Sequence, residues 1–137
     1  MIIKKTTFAA ILLFSGLAFS SGNEIIVTSI HSVYDGDTFR AYLPDGKNKS
    51  ERIRLRDVDT AEIQGKCQFE INEAIKARDF VRQYLASAGQ VKLKNTGRDK
   101  YNRLLADVYV DEVNLSHVLI NRGLGREWRG RRESWCN

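Results

Sequence analysis

Between Arg52 and Arg56 the chain reads arginine, isoleucine, arginine, leucine, arginine. A strict two-residue period fits an extended strand, whose successive side chains point to opposite faces. Ile53 and Leu55 then cover a core, and Arg52, Arg54 and Arg56 form the other face. This strand runs straight into the acidic cluster Asp57, Asp59 and Glu62, and a second acidic strand end, Asp35-Gly36-Asp37-Thr38, lies upstream. A solvated strand face is the usual fate of alternating charge. Carboxylates at two strand ends beside guanidiniums suggest something more, a hard cation together with an anionic substrate, since neither charge type alone explains both.

The rest of the chain supplies the partners such a strand needs. Glu24 to Val33 is rich in Ile and Val and reads as a first strand, with Asp35-Gly36 as a tight turn. Thr38 to Leu43 is a second strand, and Pro44-Asp45-Gly46 turns the chain toward the third, Arg52 to Val58. From Gln68 to Ala86 the period switches: Ile71, Ala74, Ile75, Arg78, Val81 and Leu85 recur at helical spacing, and Gly89 follows. Val91 to Lys94 and Leu104 to Val110 read as fourth and fifth strands around a polar loop, Thr96 to Lys100. Asn114 caps a second helix that Gly123 stops. Five strands with a helix between the third and fourth is the element order of an OB-fold barrel, an α+β, mainly β class. A generic α+β sheet with helices on one face is the competitor.

Residues 1–20 read differently. Lys4 and Lys5 precede a mostly apolar run from Phe8 to Phe19, too short for a membrane span, and Ala18 and Ser20 are small residues suited to cleavage after Ser20. We expect a signal peptide, an exported protein (periplasmic or secreted), no membrane association once the signal is removed, and one domain over 24–137. Removing residues 1–20 takes away two lysines and no acid, lowering the formal charge from +5 to +3. That mild excess permits a polyanionic partner without demanding one. Cys67 and Cys136 both lie in the exported part, where an even pair is most simply a disulfide; it closes a loop of about 70 residues, worth on the order of 4 kcal/mol in the chain-entropy model. A catalytic thiol is the rival, but neither cysteine sits in a Cys-x-x-Cys motif or near a histidine base.

Hard cations take oxygen ligands, and Asp37 and Asp59 can each supply one. No twelve-residue loop has EF-hand offsets. Zinc is disfavoured, because His31 and His117 are far apart and read as structural. Taken in order, Asp35-Gly36-Asp37-Thr38, then Arg-x-x-x-x-Asp-Thr-x-Glu from Arg54 to Glu62, then Asp99-Lys100-Tyr101-Asn102-Arg103, the chain resembles the staphylococcal (micrococcal) nuclease family, the thermonucleases. The resemblance covers roughly Val33 to Leu124. It implies an OB barrel with about three helices and a Ca²⁺-dependent phosphodiesterase acting on DNA and RNA with little sequence preference, giving 3′-phosphorylated products. By the same resemblance Asp37 and Asp59 match carboxylate ligands of a single Ca²⁺, and Thr60 matches a backbone-carbonyl ligand. Glu62 matches the general base, Arg54 and Arg103 the arginines that hold the scissile phosphate, and Lys100 and Tyr101 further phosphate contacts.

The chain departs from the family pattern in places. Ala61 stands where proline is common, which removes no chemical group. Asn102 replaces a glycine before Arg103, and asparagine tolerates positive φ better than most residues. Cys67 and Cys136, absent from the best-known member, would pin the basic C-terminal tail near Glu62. In that tail Trp128 either stacks on single-stranded or locally unpaired nucleic acid, as a substrate-binding residue, or packs; Trp135 is expected to pack beside the disulfide. We expect a monomer. The alternative function is a catalytically inactive OB-fold nucleic-acid-binding module, which predicts the loss of a ligand or of the base; Asp37, Arg54, Asp59, Glu62 and Arg103 are all present.

Overall fold

The computed structural model describes residues 23–137 together with Ile11 and Gly16. The expected signal peptide falls almost entirely outside the described residues. The strands are β1 (Ile25–Ile26), β2 (Ser29–Asp35), β3 (Thr38–Tyr42), β4 (Glu51–Leu55), β5 (Val58–Asp59), β6 (Val91–Arg98), β7 (Leu104–Val110), β8 (Val113–Asn114) and β9 (Arg126–Glu127). The helices are α1 (Gln68–Ala86) and α2 (Leu115–Asn121). Where the resemblance implies about three helices, two are found among the described residues. The last segment forms β9 and then turns and bends.

The main sheet runs β1-β6-β7-β4-β3-β2. Its two ends are consecutive pieces of one segment, because β1 and β2 are separated only by Val27 and Thr28. Val27 donates to the Val91 carbonyl on one side, and Thr28 donates to the Tyr42 carbonyl on the other. The sheet therefore curls until its first strand is shared between both edges, which is how a small barrel disposes of its unpaired edges. All neighbours are antiparallel except β4 and β7, which run parallel with Arg54 opposite Leu105. This is an OB-fold-like, mainly β arrangement in the α+β class, as the element order predicts.

The two-residue period of β4 is realised in full: Ile53 and Leu55 are buried, whereas Arg52 is exposed and Arg54 half-buried. With Phe39, Ala41, Leu93, Ala106, Val108, Leu115 and Leu119 they form the core. On α1 the buried positions Ala74, Ala77, Val81 and Leu85 are spaced to lie on one stripe, which packs mainly on β2. On α2, Asn114 caps the first turn by accepting from Ser116 N and His117 N.

The β2–β3 turn owes its glycine to crowding rather than to a left-handed φ. A Cβ on Gly36 would lie 2.8 Å from Ala77 Cβ of α1 and 2.8 Å from Thr60 Cγ2. Gly36→Ala is expected to destabilise the protein by about 1–3 kcal/mol through overpacking, read as a lower urea midpoint. The turn on which Asp37 sits is thus clamped between helix and loop.

Candidate active site

Three elements converge where the barrel meets α1. The β2–β3 hairpin brings Asp35 and Asp37, β4 brings Arg54, and the chain through β5 brings Asp59, Thr60 and Glu62. Asp35, Asp37, Asp59 and Thr60 are all buried, a burden that carboxylates bear only when paired. The pairings are specific. Asp37 Oδ2 accepts from Thr60 N at 3.0 Å and lies 3.4 Å from Arg54 Nη2, while Asp37 Oδ1 accepts from Thr38 Oγ1 at 3.1 Å. Arg54 Nη1 donates to the Val58 carbonyl at 2.8 Å and also to the Leu55 carbonyl. Its guanidinium is therefore fixed before any substrate arrives. Arg52 and Arg56, by contrast, donate to the carbonyls of Tyr101 and Asn95 and tie neighbouring loops to the barrel. Only the middle arginine of the alternating three pairs with the acids.

Asp35 and Asp57 play the supporting parts expected of strand ends. Asp35 Oδ1 accepts from Asp37 N, and Asp57 takes a positive φ of 64° at the turn between β4 and β5. Burial and then the neighbouring Asp37 charge push the Asp35 carboxyl up to about 9. In the cation-free protein Asp35 thus stays protonated when folded but ionises when unfolded. Its folded pKa is the raised one, so its contribution is fully present below pH 3.8 and is lost as pH rises toward 9. Asp35→Asn removes that loss. The chelated variant is expected to gain stability over the wild type progressively from pH 4 to 9, with no gain below pH 4, in denaturation midpoints across pH.

Arg103 reaches the same cleft from the loop after β6. Asp99 holds it: Oδ2 accepts from Arg103 Nε at 2.7 Å and Oδ1 from its backbone N at 2.9 Å. Burial opposes the Asp99 charge, but these bonds outweigh it and keep the carboxyl below its usual range. Asn102 takes the left-handed turn expected of it, with φ 59°. Lys100 lies over the Tyr101 ring at 5.1 Å, and Arg103 over the same ring at 5.2 Å. All three line a cleft of about 1160 Å³ together with Asp37, Arg54, Asp59, Glu62 and the exposed Trp128. The structure thus brings Asp37, Asp59, Thr60, Glu62, Arg54 and Arg103 into one neighbourhood, with Lys100, Tyr101 and Trp128 on its rim.

The C-terminal tail contributes what sequence reasoning missed. β9 pairs with β5, setting Asp59 opposite Arg126. Trp135 Nε1 donates to Asp59 Oδ2 at 3.2 Å, and Arg126 lies 3.8 Å from the Trp135 ring. Trp135 therefore holds a site carboxylate rather than merely packing. Arg132 donates to Glu62 and to Glu70, and Cys67 is bonded to Cys136. Glu70 is buried and also accepts from Lys66 N and Glu62 N. Burial raises its pKa, but these hydrogen bonds and Arg132 prevail and lower it. In sequence Glu70 has the look of an ordinary polar helix residue. The one available signal was its place three residues after Cys67, where the disulfide sulfur caps the helix by accepting from Glu70 N.

Among the described residues no three His, Cys, Asp or Glu side chains group as a metal cluster. The donor set nevertheless fits a hard divalent cation held by two carboxylates, a backbone carbonyl and water. Two observations support the fit. Thr60 Oγ1 is buried without a hydrogen-bond partner, so the loop between Asp59 and Glu62 carries unsatisfied oxygen. Burial, with Asp37 as a neighbouring charge, raises the proton affinity of both Asp59 and Glu62 despite nearby Arg132. The cluster is short of positive charge.

A family model described as staphylococcal nuclease homologue matches residues 52–135, more than half of the chain. Endonuclease YncB of Bacillus subtilis is 30% identical over 106 residues, 75% of this chain and 48% of that protein. SPbeta prophage-derived endonuclease YokF of the same species is 30% identical over 106 residues, 34% of its own length. A Haemophilus influenzae protein named uncharacterized endonuclease is 30% identical over 124 residues, 90% of this chain and 65% of that protein. The chain spans less than two thirds of each. The matched segment carries Arg54, Asp59, Glu62 and Arg103, and with it the chain belongs to the staphylococcal nuclease family.

Proposed function

We propose that the chain is an exported, Ca²⁺-dependent nuclease that hydrolyses phosphodiester bonds of DNA and RNA. The observation that carries this is the meeting of fixed arginines and buried carboxylates in one cleft, with Arg54 3.4 Å from Asp37. Family membership and relatives named endonucleases support nuclease chemistry. Asp37 and Asp59, with the Thr60 carbonyl, are the residues that hold the cation. When bound, a divalent cation supplies positive charge against the phosphate and polarises it.

The chain's own residues do the rest. Arg54 and Arg103 bind the phosphate oxygens, and their planar forks suit a group that gains negative charge on the way to the transition state. Both are held by protein acceptors beforehand, so little reorganisation is needed when charge develops. Glu62 has one oxygen on Arg132; the other orients water and takes its proton. The water oxygen bonds to phosphorus as the bond from phosphorus to the 5′ oxygen breaks. The 5′ oxygen takes a proton from solvent and leaves as a hydroxyl, and the phosphate stays on the 3′ side. Lys100, Tyr101 and Trp128 flank the cleft as backbone and base contacts, which favours a single-stranded or locally unpaired substrate.

Purified protein with Ca²⁺ is expected to degrade both plasmid DNA and RNA. Failure on both contradicts the proposal. Arg54→Lys is expected to lower kcat by about 10²- to 10³-fold in the same assay, because an ammonium cannot reproduce the fork or hold the Leu55 and Val58 carbonyls together with Asp37.

A further inference from the structure

Arg132 comes from a stretch with neither helix nor strand, yet its guanidinium spans two carboxylates. Nη1 lies 2.5 Å from Glu62 Oε1, and Nη2 lies 2.6 Å from Glu70 Oε2. The two acids differ in kind. Glu70 is buried at the start of α1 and further held by Lys66 N and Glu62 N. The Glu62 side chain is 39% exposed, and Arg132 is its carboxylate's one hydrogen-bond partner among the described residues. Arg132 thus ties a half-buried carboxylate to a fully buried, fixed one, a task that needs the two-pronged geometry of arginine.

The tail that carries Arg132 is held at both ends. Arg126 stands in β9, donates to the carbonyls of Glu133 and Ser134, and lies against Trp135. Cys136 is bonded to Cys67, the capping residue of α1, so the disulfide anchors the tail to the same helix end that holds Glu70. A long side chain loses rotamer freedom when ordered, and a tethered backbone lowers the further entropy lost. A tail acting as a plug would make its shortest contacts with the proposed cation ligands. The tail's shortest contacts are instead those of Arg132 with Glu62 and Glu70. Trp135 bonds Asp59 at 3.2 Å, Arg132 forms a longer ion pair with Asp59 at 3.6 Å, and among the described residues Arg132 makes no ion pair with Asp37.

We propose that Arg132 is a positioning residue for Glu62, and that the Cys67–Cys136 disulfide holds it in place. The inference rests on Glu62 acting on water as described above. One Glu62 oxygen is pinned by Arg132, which leaves the other aimed into the cleft.

Four variants test this on a single-stranded oligonucleotide: Arg132→Gln, Arg132→Lys, Arg132→Gln with Glu62→Gln, and Cys67→Ser with Cys136→Ser. Arg132→Gln is expected to lower kcat by about ten- to a hundredfold, as loss of alignment does, with KM within about threefold. Arg132→Lys recovers part of the loss, since one ammonium cannot bridge both acids. The Arg132/Glu62 double variant is no slower than Glu62→Gln alone. The cysteine variant, checked for folding by circular dichroism, reproduces the kcat loss. An unchanged kcat in Arg132→Gln, a loss that lies in KM, or additive losses with Glu62→Gln overturns the positioning role. Faster cleavage with tighter Ca²⁺ binding by calorimetry also overturns it, in favour of a plug.

Denaturation midpoints of the Arg132 and Glu62 single and double variants provide a readout free of catalysis. Coupled midpoints in a protein that cleaves nothing would sink the nuclease reading and leave the Arg132–Glu62 link standing. Additive midpoints would remove the link itself.

Discussion

Glu62→Gln is expected to lower kcat by about 10²- to 10⁴-fold, the range lost with a general base, while KM and oligonucleotide binding stay within about threefold. The substitution keeps the side chain's shape and an oxygen for Arg132 to bond, so the tail and the loop from Glu62 to Lys66 have no reason to move. What disappears is a carboxylate whose proton affinity burial raises, in a cleft that the fixed Arg54 and Arg103 also line. That is the combination a base needs near neutral pH. Steady-state kinetics alongside a binding titration checks the split. A fall in binding with kcat preserved would move the base elsewhere and leave Glu62 a structural partner of Arg132.

Excess EGTA is expected to bring cleavage below detection, and added Ca²⁺ to restore it. Without a cation the cleft sets Asp37, Asp59 and Glu62 against an incoming phosphate, and Arg54 is already engaged with Asp37. Like charges then oppose binding and the charge development that follows. A second readout does not involve cleavage. Ca²⁺ titrated into chelated protein should release protons at neutral pH, chiefly from Asp35, because its carboxyl stands at about 9 until the local charge is offset. Cleavage undiminished in EGTA would remove Asp37 and Asp59 from their proposed role.

The barrel was legible because its signals are periodic. Alternation in β4 and β7, the helical stripe of α1 and the asparagine cap of α2 each leave a local pattern, and each element formed where that pattern lies. Boundaries slipped where geometry overrode pattern. β6 runs on to Arg98 through what reads as a polar loop, because Asn95 takes φ 51° and the ladder resumes after a shift of register. The first strand breaks at Val27 and Thr28 because it must serve both edges of the barrel. The third expected strand ends at Leu55, since Asp57 at φ 64° turns the chain into β5.

The site divided in the same way. Asp37, Arg54, Asp59 and Glu62 lie on strand ends whose register determines where they meet. Arg132 and Trp135 reach them only through β9 and the disulfide, and a two-residue strand carries no period to detect. No spacing joins residue 132 to residue 62. The cysteines hinted that the tail lies near Glu62, but not that its arginine grips it. Glu70 was hidden for a related reason: a helix acid buried by its neighbours looks like any solvated one until those neighbours are folded.

The most direct measurement is mass spectrometry of a defined single-stranded oligonucleotide after incubation with the purified protein in Ca²⁺. The account predicts shorter fragments bearing a 3′ phosphate, each with its complement ending in a 5′ hydroxyl. An oligonucleotide recovered intact would contradict it.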